Sequence, residues 1–241
     1  FYTSFPHLKQ LYFLGVCTIG YHEKSKKSLT LPVDGTRSID RQQTEINNMD
    51  NISRLRNSID PIVSLTPEEL AVFQDFLEVR KLAKNDFFVE AGQVCNYLGF
   101  VNQGALIYFK SMDNGNEVTT DFAFEGDWVT VNQSRLNHSP SLINIKAIDN
   151  TELLVLKQQI LNDLYTRIPK IERLGRILME QAYLKLVQQS IDLQVLTATE
   201  RYGNLLRKFP EIFQRVQLYH IANYLGIAPK SLSRIRKEIF G

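Results

Sequence analysis

The chain has 241 residues, of which 44% are hydrophobic and 22% charged, and a net charge of +2. That length and composition exclude a disulfide-stapled miniprotein and a disordered tail, and leave room for one large domain or two small ones. No apolar run reaches the ~18 residues that a membrane span needs, so no membrane partner is expected. Cys17 and Cys95 are too few for a zinc site, an iron–sulfur cluster or a disulfide framework, which points to reduced thiols in a cytoplasmic protein without metal or cofactor.

Residues 1–48 carry turn-formers and polar residues without periodicity, as in LTLPVDGTRSIDRQQTEINN. The segment is expected to be disordered or a non-native extension, with the organised chain beginning at Met49. Its longest apolar stretch, Leu11 to Ile19, lacks a strong basic flank and a small-x-small cleavage site, so no signal peptide is expected. From Ile52 the pattern turns helical. Thr66-Pro67-Glu68-Glu69 marks a helix start, with Thr66 as N-cap, Pro67 in the first turn and Glu69 three residues after the cap. Leu70, Phe73 and Leu77 then form one apolar stripe.

Between Asp86 and Leu156 the period becomes strand-like. Short runs at 87–89, 98–101, 105–109, 118–122, 143–147 and 153–156 are separated by Gly92, Asn102–Gly104, Asp113–Asn116, Gly126 and Asp149-Asn150. Several short strands with polar turns indicate an antiparallel barrel or double-sheet jelly roll. Within it, Asp121, Glu125 and Asp127 could serve as an acid set for glycoside hydrolysis. No second feature supports catalysis, and turn or strand-edge acids are the simpler reading. His138 beside Ser139 lacks the G-x-S-x-G elbow of a hydrolase. No catalytic residue is therefore assigned.

From Lys157 the chain is helical again, and Pro169 leads into IERLGRILMEQAYLKLVQQSIDLQ. Ile171, Leu174, Leu178 and Ala182 lie on one side, and Ile177, Leu184, Val187 and Ile191 form a second strip. One strip can pack on the barrel and leave the other for a partner helix. The first set is assigned to a homodimer interface on a helix spanning 168–194. Thr199-Glu200-Arg201-Tyr202 opens another helix, broken at Phe209-Pro210.

The stretch Leu218 to Lys237, LYHIANYLGIAPKSLSRIRK, carries two short helical patterns across a tight turn. Ile221 and Leu225 share a face, Gly226 supplies a residue tolerant of positive φ, and Pro229 suits the first turn of a new helix. Leu232, Ile235 and Ile239 continue the second helix on one face. The opposite face shows Pro229, Lys230, Ser231, Ser233, Arg234 and Lys237, as a helix-turn-helix reading double-stranded DNA would. His220 is placed beside the DNA backbone or in solvent. Residues 197–241 hold 8 Lys/Arg against 3 Asp/Glu, while residues 61–167 hold 8 against 14. A basic end on an acidic body suggests that the end meets a polyanion.

The order of β-roll, long helix and helix-turn-helix resembles the Crp/Fnr family of bacterial transcription regulators from about Met49 onward. Its most specific part is Ile221-Ala222-Asn223-Tyr224-Leu225-Gly226-Ile227 followed by Leu232-Ser233-Arg234-Ile235. The resemblance implies an α+β chain. It would comprise a cyclic-nucleotide-binding-like antiparallel β-roll (jelly roll) at 49–167, a dimerisation helix at 168–194 and a helix-turn-helix DNA-binding domain at 195–241. It further implies a homodimer on a palindromic operator, an unknown small-molecule effector, and RNA polymerase as a candidate partner. By position, groove-reading residues fall on Pro229, Lys230 and Arg234, and an effector pocket on Glu125, Trp128, Thr130 and Ser141. The family's winged helix-turn-helix is expected to lack a wing after the recognition helix here, because Gly241 follows that helix directly. The nucleotide-binding members carry an arginine in the phosphate cassette, whereas the matching stretch, Glu125 through Ser141, offers only Arg135 in the intervening loop. Cyclic AMP is therefore not the expected effector. The alternative is a ligand-responsive β-roll that acts through protein partners.

Overall fold

The computed structural model describes residues 53–240, excluding the side chain of Phe240, so the expectations for residues 1–48, Cys17 and Met49 lie outside the described residues. A first helix, α1 (53–59), precedes α2 (Pro67–Asp75). The start of α2 is the expected capping box: Thr66 Oγ1 accepts from Glu69 N at 3.2 Å, and Glu69 Oε2 accepts from Thr66 N at 2.7 Å. These reciprocal bonds satisfy donors that the first turn of a helix otherwise leaves open.

Eight strands follow: β1 (Glu78–Leu82), β2 (Phe87–Val89), β3 (Tyr97–Gln103), β4 (Leu106–Ser111), β5 (Glu117–Ala123), β6 (Trp128–Val129), β7 (Asn144–Ala147) and β8 (Thr151–Lys157). A short helix, α3 (Asn132–Asn137), interrupts them between β6 and β7. The strands form two antiparallel four-stranded sheets, in the orders β1-β8-β3-β6 and β2-β7-β4-β5. This is the expected β-roll. Six of its strands coincide with alternating or apolar runs in the sequence. Strand β1, EVRKL, does not, because it is an edge strand whose burial pattern leaves only Leu82 inside. The inner faces of both sheets share one core that includes Val101, Leu106, Tyr108, Ile145 and Leu153.

After β8 come a 3-10 turn (Gln158–Ile160), α4 (Leu161–Arg167) and the long α5 (Pro169–Val195). A second core joins Phe100, Trp128 and Leu156 of the first sheet to Leu55, Phe73, Leu164, Ile171, Leu174 and Leu178. Here the structure corrects the expected dimer interface. Ile171, Leu174, Leu178 and Ala182 are all buried within the protomer, at 2–5% exposure, and the first three belong to the core that packs α5 on the β-roll. Burial of each of the three larger side chains contributes ~1.5–3 kcal/mol, and the apolar surface they meet is the roll itself. The opposite face of α5 carries Met179, Tyr183, Leu184, Val187 and Ile191, which are 38–66% exposed.

The chain closes with α6 (Ala198–Lys208), α7 (Ile212–Arg215), α8 (Leu218–Tyr224) and α9 (Pro229–Phe240). Helix α6 begins slightly before the expected Thr199, because Thr197 forms a capping box with Glu200. A third core ties these helices to the second sheet. Ile107 and Phe109 of β4 and Phe122 of β5 share it with Tyr202, Leu205, Ile221, Ala222, Leu225, Leu232 and Ile235. The terminal helices thus cover the outer face of β4 and β5.

Candidate nucleic-acid interface

The local sequence dictates the turn between α8 and α9. Gly226 sits at φ +66°, a conformation that costs an L side chain ~1–2 kcal/mol and glycine almost nothing. Its N–H donates to Asn223 O at 2.9 Å, and that of Ile227 to Ala222 O at 3.0 Å. This pair of bonds is the Schellman closure of a helix C-terminus. Pro229 then opens α9, where a missing N–H leaves no bond unmade. Ile221, Ala222, Leu225, Leu232 and Ile235 interlock as a small core, as their spacing requires. Ile239, expected on the same side, is 44% exposed, since it lies a turn beyond the last helix that could cover it. Arg201 of α6 braces the unit by donating to Leu196 O and, at 2.9 Å, to Leu225 O.

The opposite face of α9 is open. Pro229, Lys230, Ser233, Arg234 and Lys237 are exposed, and Ser231 is half-buried. Among the described residues, no carboxylate lies within ion-pair distance of Lys230, Arg234 or Lys237. The hydroxyl of Ser233 donates to Pro229 O at 3.1 Å, so its proton serves the helix and only its lone pairs face outward. Arg236, which the sequence does not single out, turns back over the Phe213 ring at 4.9 Å.

Helix α8 is held against β5. Asn223 Nδ2 and the Tyr219 hydroxyl donate to Glu117 O at 2.8 and 3.2 Å, and His220 Nδ1 lies 3.1 Å from Thr119 Oγ1. His220 is therefore half-buried against the roll, and burial lowers its pKa. It is not free in solvent, because the first helix of the unit turns this face to β5. Arg215 of α7 donates to Glu125 at 2.7 and 3.0 Å and to Asp149 at 3.0 Å, with its guanidinium over the Phe124 ring at 5.2 Å. Nothing in sequence spacing announces Arg215, since its partners are 90 and 66 residues away.

The four expected effector residues are not brought together. Glu125 is committed to Arg215 and to the Gly104 N–H, and Trp128 packs at a tilt against Phe100, ring centroids 5.3 Å apart, in the core between roll and helices. The Thr130 hydroxyl donates to Tyr97 O at 2.9 Å, and that of Ser141 to Ile143 O at 2.6 Å. The roll carries a cavity of about 380 Å³ bordered by Arg80, Phe88, Cys95 and Tyr97, and none of the four lines it. Arg135 is buried on α3, where it donates to Gln158 and to Asn132 Oδ1. The three acids weighed for hydrolysis also have other duties. Asp121 pairs with Lys185 at 2.6 Å, Glu125 with Arg215, and Asp127 accepts from Phe124 N at 2.8 Å.

Residues 79–167 match the family described as "cyclic nucleotide-binding domain". Transcriptional activator protein anr of Pseudomonas aeruginosa is 25% identical over 72% of this chain and 75% of its own length. Among solved structures, FixK2 from Bradyrhizobium japonicum superposes with a TM-score of 0.59 at 16% identity, covering 68% of this chain and 84% of that one. A transcriptional regulator of the Crp/Fnr family from Eubacterium rectale superposes with a TM-score of 0.56 at 18% identity, over 72% and 83% of the two chains. The two superpositions establish the fold. The chain thus holds a domain of the cyclic nucleotide-binding type and has the fold of these regulators, to which the curated relative is also similar.

Proposed function

We propose that the chain is a sequence-specific DNA-binding transcription regulator that works as a homodimer. The observation that carries this reading is α9. Its apolar face is locked into the terminal core, while its outer face offers Lys230, Arg234 and Lys237, none of them in an ion pair among the described residues. A helix of that kind fits the major groove, where an arginine fork matches the O6/N7 edge of guanine and lysines meet phosphate. The relative's name, a transcriptional activator, supports the same reading. One recognition helix gives a small footprint, whereas two related by a dyad read half-sites ~34 Å apart. The exposed apolar strip of α5, from Met179 to Ile191, is the surface suited to that dyad. RNA polymerase is a further partner consistent with a regulator.

Retention on random-sequence duplex at increasing salt tests the DNA reading: binding should weaken steeply as counterion release loses its advantage. Failure to bind duplex DNA at low salt would remove the reading. Cyclic AMP is not the effector in this account. Ser139 and Ser141 are occupied by internal hydrogen bonds, and the cassette's one arginine, Arg135, is held by Gln158 and Asn132. Calorimetric titration with millimolar cyclic AMP should show no saturable heat, and micromolar binding would overturn this point.

A further inference from the structure

A second cavity, of about 530 Å³, lies away from the β-roll interior. Its walls come from four elements: β5, the last three turns of α5, α6 and α8. The lining is mainly apolar, through Leu186, Leu193, Leu205, the Tyr224 ring and Leu225. Such a volume is in the range that holds a small organic ligand with most of its surface buried.

The charges at this cavity do not cancel. Lys185 reaches Asp121 at 2.6 Å, and Asp192 Oδ1 accepts from Gln188 Nε2 at 2.7 Å. Arg201 is spent on the carbonyls of Leu196 and Leu225. Lys208 is different. Among the described residues, no carboxylate lies within ion-pair distance of its ammonium, whose recorded contact is with the Phe209 ring at 5.0 Å. Its side chain keeps an exposed surface, yet desolvation by the surrounding protein, and then repulsion from Lys185, lower its pKa. Two acids act on it from nearby: Asp121 is shared with Lys185, and burial pushes the Asp127 carboxyl up to about 7, which makes it a weak neutraliser. In the same wall, the Thr120 hydroxyl is buried without a hydrogen-bond partner among the described residues.

We propose that this cavity is a binding site for an organic monoanion, an aromatic or alicyclic carboxylate whose apolar body fills the space and whose single charge meets Lys208. An anion there supplies a counter-charge to Lys208, whereas a cation would meet Lys185, Arg201 and Lys208 with Asp192 as the one carboxylate in the lining. The walls come from both the sensor strand and the helix-turn-helix, so an occupant touches the two units at once. The site stands whether or not α9 meets DNA.

The test uses the full chain and three probes with one apolar body: 2-naphthylacetate, 2-(2-naphthyl)ethanol and 2-(2-naphthyl)ethylamine. Fluorescence titration should give saturable binding in the order acid, alcohol, amine. Lys208→Met keeps most of the apolar stem and removes the charge. It should weaken the acid about tenfold, or ~1.4 kcal/mol, and leave the alcohol within about twofold. Leu193→Trp, which fills the cavity, should weaken all three. Melting curves of both variants, and their binding of duplex DNA, show whether the terminal helices remain folded. No saturable binding of the acid at millimolar concentration would overturn the proposal. So would equal loss of acid and alcohol in a folded Lys208→Met protein, or unchanged binding in a folded Leu193→Trp protein.

Discussion

The Arg215 guanidinium grips the Glu125 carboxylate with two nitrogens, at 2.7 and 3.0 Å, and so pins the terminal helices to the turn after β5. The two side chains are 24% and 29% exposed, sheltered enough for a charge-assisted pair to count. Asp149 takes the second nitrogen as well, at 3.0 Å. Two acids of the body are thus turned toward the chain's own basic end.

Arg215→Ala should therefore loosen the terminal helices before the roll. A loss of about 1–3 kcal/mol is expected, since Glu125 is left partly buried without its partner. Hydrogen exchange should quicken in α7 and α8 while the β3–β8 pairing keeps its protection. The effect carries a pH signature. Desolvation pushes the Glu125 carboxyl up, but the hydrogen bonds from Arg215 and the backbone outweigh it and hold the group below its ordinary value of 4.5. Its stabilisation is present above that value and is lost as pH falls through the folded pKa. The gap between wild type and variant should narrow in acid, and a gap constant from pH 7 to pH 4 would contradict the assignment.

On α9, Arg234 and Lys237 should fail differently. Arg234→Ala is expected to cost ~1–3 kcal/mol on a selected operator and to relax preference at one position of each half-site. Lys237→Ala should weaken binding on every sequence and flatten the salt slope by ~1. Anisotropy titrations against operator and scrambled duplexes separate the two. A uniform loss for the arginine, or a position-specific one for the lysine, would reverse the roles.

The dimer surface can be tested against its alternative. Tyr183→Glu with Val187→Glu sets like charges across the proposed dyad, and sedimentation should show a folded monomer with little operator affinity. Leu178→Glu should instead unfold the protein, since Leu178 is 5% exposed in the core between α5 and the roll. A double variant that stays dimeric would place the interface elsewhere.

Which strip of α5 faces inward is a case of what the sequence could not decide. Both strips are apolar at helical spacing, and periodicity says only that two faces exist. Which of them meets the roll depends on the angle at which α4 delivers the helix, and that angle is set by contacts such as Leu164 with the second core. The helix-turn-helix was legible because its determinants are local: a glycine at positive φ, a proline in the first turn, and apolar residues three and four apart. Six strands were legible for the same reason. The docking of α8 on β5 was not, since Thr119 and His220 are 101 residues apart and neither carries a pattern. Glu125, Trp128, Thr130 and Ser141 were placed by resemblance; Glu125, Thr130 and Ser141 are absorbed by structural bonds, and Trp128 by core packing, that a motif does not reveal.

Selection of bound sequences from random duplex DNA by the 241-residue chain tests DNA reading most directly. The expected product is a two-fold symmetric consensus, with half-sites ~10 base pairs apart centre to centre or a multiple of that, and with a guanine in each that disappears when Arg234 is replaced. Recovery of no consensus, or of one that is asymmetric and indifferent to Arg234, would contradict it.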